Sequence, residues 1–184
     1  MKKFKKDSFL VLFNEGDENA FMEVYDFYVS AIYRFIYYKA RQDKSVSEDL
    51  TQKVFIKVWE YVRANKKPIE NIQAFLYMVA RNLVIDYWRG IGKEQVISSI
   101  EDSDGAIDEE FNHIDAVDAK LTTEKVIDKL NDIPERYKEV IVMRFIDELE
   151  IDEIAKILNK DKNGVYVLIH RALKSLRKRF ANNQ

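Results

Sequence analysis

Charge and apolar periodicity divide this chain into three, and the division limits it to two helical bodies with a solvated stretch between them. Residues 1–91 carry 15 Lys/Arg against 12 Asp/Glu, residues 92–124 carry 2 against 10, and residues 125–184 carry 13 against 10. The formal net charge of -2 hides this partition. The middle block clusters Ser, Asp and Gly over 98–105 and has no sustained apolar period across 93–119. Dense like charge repels, and too little apolar surface is left to bury, so the block reads as a flexible acidic linker. The expected organisation is a body over 1–91, a linker over 92–120 and a second body over 121–184. Five glycines and two prolines in 184 residues suit long helices better than many-turned sheets. The fold class expected is all-α: two small helical domains joined by that linker.

Helical spacing supports this reading. Phe21, Val24, Tyr25, Tyr28, Ile32, Phe35 and Ile36 predict a helix over about 18–40. Leu50, Val54, Phe55, Val58 and Val62 predict one over about 47–64, with Ser47 as its cap. A third runs over about 71–90 and stops at Gly90 and Gly92. The basic start, MKKFKKDSFLVLF, reads as an arm leading into the first helix, because Asp7 interrupts a short apolar run and no small-residue cleavage site follows. No run is long enough for a bilayer span, so a cytoplasmic protein with no membrane partner is expected. The second helical group begins near Leu121, and Pro134 suits the first turn of a helix carrying Val140, Ile141, Met143 and Phe145.

Two segments carry chemistry. In AFLYMVARNLVIDYWR, residues 74–89, Arg81, Asn82 and Arg89 alternate with Phe75, Tyr77, Tyr87 and Trp88. Rings beside guanidinium groups suit a surface that stacks unpaired bases and holds a phosphate backbone. The same pattern also fits an amphipathic core helix with a few surface aromatics. Near the C-terminus, Ile151, Ile154, Ala155 and Leu158 form a short helix and Asn159-Lys160-Asp161 a turn. Asp161 then caps a helix with the inner stripe Val165, Ile169, Leu173 and Leu176. Short helix, tight turn and longer basic helix make a helix-turn-helix pattern. Its candidates for duplex contact are Lys162, Asn163, Tyr166, His170, Arg171 and Lys174, with Val167 and Arg177 on or beside a neighbouring face. Residues 156–184 hold 8 basic residues against one acid, Asp161, a local field that suits phosphate.

Catalysis is disfavoured. No carboxylate pair or histidine cluster converges by spacing, there is no Gly-rich phosphate loop, and the absence of cysteine removes thiolate chemistry and disulfides. His113 and His170 lack the neighbours a metal site needs. No catalytic residue, metal or cofactor is expected.

Four blocks in order resemble a bacterial RNA polymerase sigma factor of the extracytoplasmic-function type within the sigma-70 family. ENAFMEVYDFYVSAIYRFI is similar to the family's first conserved helix. SEDLTQKVFIKVWEYV is similar to the helix that docks on the polymerase clamp, and NIQAFLYMVARNLVIDYWRG to the promoter-melting helix. IPERYKEVIVMRF with DEIAKIL and VLIHRAL resembles the C-terminal promoter-binding domain. The resemblance implies that Asp49, Gln52 and Lys53 face the polymerase. It implies that Asn82 helps read a flipped base, that Arg81, Trp88 and Arg89 lie near the melted strand, and that Trp59 and Asp86 serve packing and helix support. The chain departs from the family at Lys53, where an acid is usual, and at Tyr166-Val167-Leu168, where a Lys or Arg is common. It departs again at Glu148, where a glycine is common, and at Glu150, where a capping Ser is common. Core RNA polymerase and promoter DNA are the implied partners, and an anti-sigma protein is a further candidate. A free-standing helix-turn-helix regulator is the alternative, and it leaves the clamp-like and aromatic-basic helices without a purpose.

Overall fold

In the computed structural model, short polar residues ahead of apolar-periodic runs cap several of the helices. The structure describes residues 4, 7–64, 67–92, 130 and 133–181. The chain divides into two units, Met1–Ile91 and Gly92–Gln184. Apart from Gly92, the expected linker lies outside the described residues, as does the expected start of the second helical group near Leu121.

In the first unit, α1 spans Asp7–Asn14, α2 Glu18–Lys39, α3 Lys44–Arg63 and α4 Ile72–Gly90. Asp17 caps α2 by accepting from Ala20 N–H at 2.8 Å, and Asn71 caps α4 by accepting from Ala74 N–H at 2.9 Å. The start expected at Ser47 is corrected: α3 begins a turn earlier, where Asp43 accepts from Val46 N–H at 3.0 Å. Ser47 is buried, and its hydroxyl donates to the Asp43 carbonyl inside the helix. A serine followed by two acids reads like a cap, but Asp43 offers the stronger acceptor one turn upstream. The N-terminal arm is also corrected. Asp7–Asn14 is a separate helix that buries Phe9 and Phe13, and it turns into α2 through Gly16 at φ 81°.

The core of this unit is one apolar stripe from each long helix. Ile32, Phe35 and Ile36 of α2, Val54 and Val58 of α3, and Leu76, Ala80 and Val84 of α4 are fully buried. Phe35 meets Tyr77 edge-on at 5.1 Å between ring centroids. Burying each large aliphatic or aromatic side chain contributes about 1.5–3 kcal/mol, so the stripe sets the rotation of each helix about its axis. α1 adds its two phenylalanines to one side.

In the second unit, α5 spans Glu135–Ile141, α6 Ile151–Leu158 and α7 Lys162–Ala181. Pro134 stands just ahead of α5, and its carbonyl accepts from Tyr137 and Lys138 N–H. α5 runs into a π-turn over Val142–Ile146, which the Asp147 N–H to Val142 carbonyl bond closes. The chain then reverses through Glu148, whose φ is 54°. Leu149 is buried, Leu149 N–H bonds the Met143 carbonyl at 2.8 Å, and Arg144 holds the Leu149 carbonyl at 2.9 Å. α6 begins with the Glu153 carboxylate accepting from Glu150 N–H at 3.0 Å. Asn159, at φ 52°, makes the turn into α7. Val165, Ile169, Leu173 and Leu176 of α7 are buried as the stripe requires.

The left-handed backbone at Glu148 suits the glycine that is common at this position, and it strains the glutamate that stands here. Glu148→Gly should therefore raise the unfolding free energy by about 1 kcal/mol after the entropy it adds to the unfolded chain, read from a urea titration. An unchanged or lower midpoint would show that the turn is not strained.

Candidate nucleic-acid interface

With its inner stripe committed to the core, α4 turns Asn82, Asp86 and Arg89 outward. Between α3 and α4 lies a groove of ≈ 560 Å³, lined by Lys57, Glu60, Tyr61, Phe75, Asn82 and Asp86 with the apolar Val79 and Leu83. The Tyr61 and Phe75 rings pack at 4.8 Å between centroids along one wall. A flat heterocycle fits such a space, and the exposed Asn82 amide offers the donor and acceptor that a base edge presents in complement. Arg89 lies 3.8 Å from Asp86 on the same outer face.

The four residues expected near a melted strand are not equally placed. Asn82 and Arg89 are exposed and Arg81 is half-buried, but Trp88 is 3% exposed. Its indole N–H donates to the Lys39 carbonyl at 3.3 Å, and the Arg41 guanidinium lies 5.3 Å from its ring centroid. Tyr77, another ring in the aromatic-basic pattern, is also buried. In this conformation the indole holds the C-terminal end of α4 against the turn after α2 and offers no open face for a base. Sequence spacing did not separate inner from outer rings, because aromatic side chains suit both a core and a stacking platform. Arg41 was missed altogether. Its signal is the polar run Arg41-Gln42-Asp43-Lys44, in which Arg41 and Gln42 take φ values of 54° and 64°.

On α3, Asp49, Gln52 and Lys53 are all exposed, and the Lys53 ammonium lies 2.6 Å from the Asp49 carboxylate. Beside them α2 and α3 enclose an apolar groove of ≈ 580 Å³ lined by Phe21, Met22, Tyr25, Phe55, Ile56 and Trp59. Met22 and Ile56 stand more than half exposed there. Neither was singled out from sequence, although Ile56 is legible as an apolar residue off the stripe of Leu50, Val54 and Val58.

On α7, Lys162, Asn163, His170 and Lys174 are exposed, and Tyr166 and Arg171 are half-buried. Asp161 caps the helix by accepting from Gly164 N–H at 2.7 Å. A Cβ at Gly164 would lie 2.8 Å from that same oxygen, so a larger residue there would require the Asp161 carboxylate to shift. Lys162 pairs with Asp152 of α6 at 2.8 Å. The hydrogen bond and charge of Asp152 raise the Lys162 pKa above its usual value. Among the described residues, no group of three or more His, Cys, Asp or Glu could hold a metal, and no helix is long and apolar enough to cross a membrane.

Residues 24–94 match the model of Sigma-70 region 2, and residues 123–176 match that of Sigma-70, region 4. The ECF RNA polymerase sigma factor SigW of Bacillus subtilis is 32% identical over 178 residues, covering 89% of this chain and 90% of its own length. The chain belongs to the ECF RNA polymerase sigma factors. SigM of Bacillus subtilis is 28% identical over 88% of this chain and 98% of its own length. BldN of Streptomyces coelicolor is 27% identical over 88% of this chain, which spans 60% of BldN. Two solved structures share the fold. CnrH, in complex with the cytosolic domain of CnrY, superposes with a TM-score of 0.64 at 18% identity, covering 96% of this chain and 97% of that one. The sigma factor RpoE of Bartonella quintana, in complex with the anti-sigma factor NepR, gives 0.63 at 17% identity over 89% of this chain and 98% of that one.

In this sigma factor, Trp88→Ala should remove about 3–5 kcal/mol of stability as a buried aromatic is lost, whereas Asn82→Ala should change it by less than about 0.5 kcal/mol. Paired thermal melts check this, and equal melts would return Trp88 to the surface. Lys162→Ala should lower duplex affinity, and the slope of log K against log salt should become shallower by about 0.9 for the lost phosphate contact. An unchanged slope in salt-dependent binding titrations would show that Lys162 does not reach DNA.

Proposed function

We propose that the chain carries out promoter recognition by dividing the work among three surfaces. The outer face of α3, with Asp49, Gln52 and Lys53 beside Met22 and Ile56, docks on core RNA polymerase. A charged, self-paired patch next to exposed apolar side chains is the composition of a protein interface with a polar rim. Lys162, Asn163, Tyr166, His170, Arg171 and Lys174 of α7 meet duplex promoter DNA, cations on phosphate and the remainder toward the groove. The groove at Asn82 takes a base from the strand that is melted downstream, and Arg81 and Arg89 lie beside the path of its backbone. Trp88 supports α4 from beneath.

The observation that carries this reading is the exposed Asn82 amide at the mouth of a groove walled by Tyr61 and Phe75. Extruding a base costs on the order of a few kcal/mol. Contacts in such a groove and polymerase binding together offset it, so melting needs no hydrolysis and the chain acts without a catalytic site of its own. Its place of action is then the cytoplasm, with promoter DNA and core RNA polymerase as partners. An anti-sigma protein is a further partner, a proposal motivated by RpoE, whose solved complex contains NepR.

Asn82→Ala should leave co-elution with core polymerase intact on gel filtration and reduce open-complex formation by about 5- to 150-fold, the effect of about 1–3 kcal/mol of base contact. Permanganate reactivity of promoter thymines reports the melting. Undiminished reactivity would remove Asn82 from strand capture.

A further inference from the structure

Asn14 closes α1, and its side-chain amide meets the backbone of a residue 55 positions further on. The Oδ1 atom accepts from Ile69 N–H at 2.7 Å, and Nδ2 donates to the Ile69 carbonyl at 3.1 Å. Nδ2 also donates to the Leu10 carbonyl at 2.8 Å, which orients the amide from its own helix. A primary amide places a donor and an acceptor side by side in one plane, so it pairs with a peptide unit as a neighbouring strand would. The Ile69 side chain is buried.

The segment thus held is the described part of the α3–α4 connection, Lys67–Asn71. It is tied at two more points. The Lys67 carbonyl accepts from the Tyr61 hydroxyl at 3.1 Å, and Asn71 caps α4. Tyr61 belongs to the wall of the Asn82 groove, so the ties run from α1 through the connection to that wall. A cleft of ≈ 430 Å³ opens along the seam of α1 with the connection, lined by Leu10, Val11, Asn14, Pro68, Ile69 and Glu70. Burial of the Ile69 side chain anchors the connection, and the two hydrogen bonds to its peptide unit fix the register and orientation that packing alone leaves adjustable.

We infer that Asn14 is a positioning residue for strand recognition. By clasping Ile69 it holds Lys67–Asn71, and with them Tyr61 and the first turn of α4, at the spacing the groove requires. This rests on the reading that the Asn82 groove receives a base of the melted strand. α1 itself contributes no side chain to that groove.

The test is a selectivity profile. Holoenzyme reconstituted with the full chain transcribes a template library randomised over the upstream and downstream promoter elements, and the transcripts are sequenced. Asn14→Asp keeps the size and the acceptor but sets a carboxylate against the Ile69 carbonyl, and Asn14→Ala removes both bonds. Each should flatten the preference at downstream positions by about 2- to 10-fold, the worth of one or two hydrogen bonds, and leave upstream preference unchanged. A uniform loss of transcription with preserved preferences would overturn the inference, since a merely structural residue lowers output at every template alike. Asn82→Ala runs in parallel. If it flattens the downstream profile and the folded Asn14 variants do not, the positioning role fails alone. If Asn82→Ala leaves the profile intact, the reading of the groove fails and the inference falls with it. Should circular dichroism show both Asn14 variants unfolded, Tyr61→Phe tests the same tether at its other end while keeping the ring against Phe75. An unchanged downstream preference in that variant overturns the inference.

Discussion

Burial of one apolar stripe from each of α2, α3 and α4 decides where every candidate contact of the N-terminal unit points. Ile32, Phe35, Ile36, Val54, Val58, Leu76, Ala80 and Val84 leave no accessible surface, so each helix has a single favourable rotation about its axis. A slip of one residue turns a helix face by about 100° and would exchange buried side chains for solvated ones. Asn82 faces outward because Ala80 and Val84 face inward. The same constraint sends Asp49, Gln52 and Lys53 to the surface of α3 and takes Trp88 and Tyr77 into the interior. The exposure of these candidate contacts is thus a consequence of packing on the inner faces.

Polar ties then refine what packing leaves open. The indole N–H of Trp88 on the Lys39 carbonyl, with Arg41 over the ring, joins the end of α4 to the turn after α2. Asn14 joins α1 to the connection before α4. These bonds reach backbone peptide groups, so they fix chain position as well as side-chain orientation. They act at the two ends of α4, the helix whose middle carries Asn82.

The candidate contact surfaces share a further habit. Lys53 pairs with Asp49, Arg89 with Asp86, and Lys162 with Asp152, in each case between exposed groups. Such pairs contribute at most about 1 kcal/mol in water. A phosphate or a charged partner can exchange for the acid at small cost, while the free protein keeps its cations partly neutralised. The same exposure that makes these pairs weak makes them exchangeable.

The helical class, the inner stripes and most helix limits are legible along the chain, because a 3.6-residue apolar period and short polar caps are local properties. The stripe of Leu50, Val54, Phe55, Val58 and Val62 and the cap at Asp161 are as the spacing required. The sequence also carried the family through four ordered blocks. The true start of α3 at Asp43, the separate helix Asp7–Asn14 and the left-handed turn at Glu148 were less legible. Each depends on which of several adequate local partners wins once the helices pack. Which aromatic rings are covered depends on how the helices pack. Trp88 and Tyr87 are neighbours in sequence, yet one is buried and the other half-buried, because successive residues on a helix point in different directions and only the neighbouring helices say which direction is core. The tertiary structure also brought Asn14 to Ile69 and Tyr61 to Phe75, contacts that no local pattern encodes because the partners are set together by the packing of separate helices.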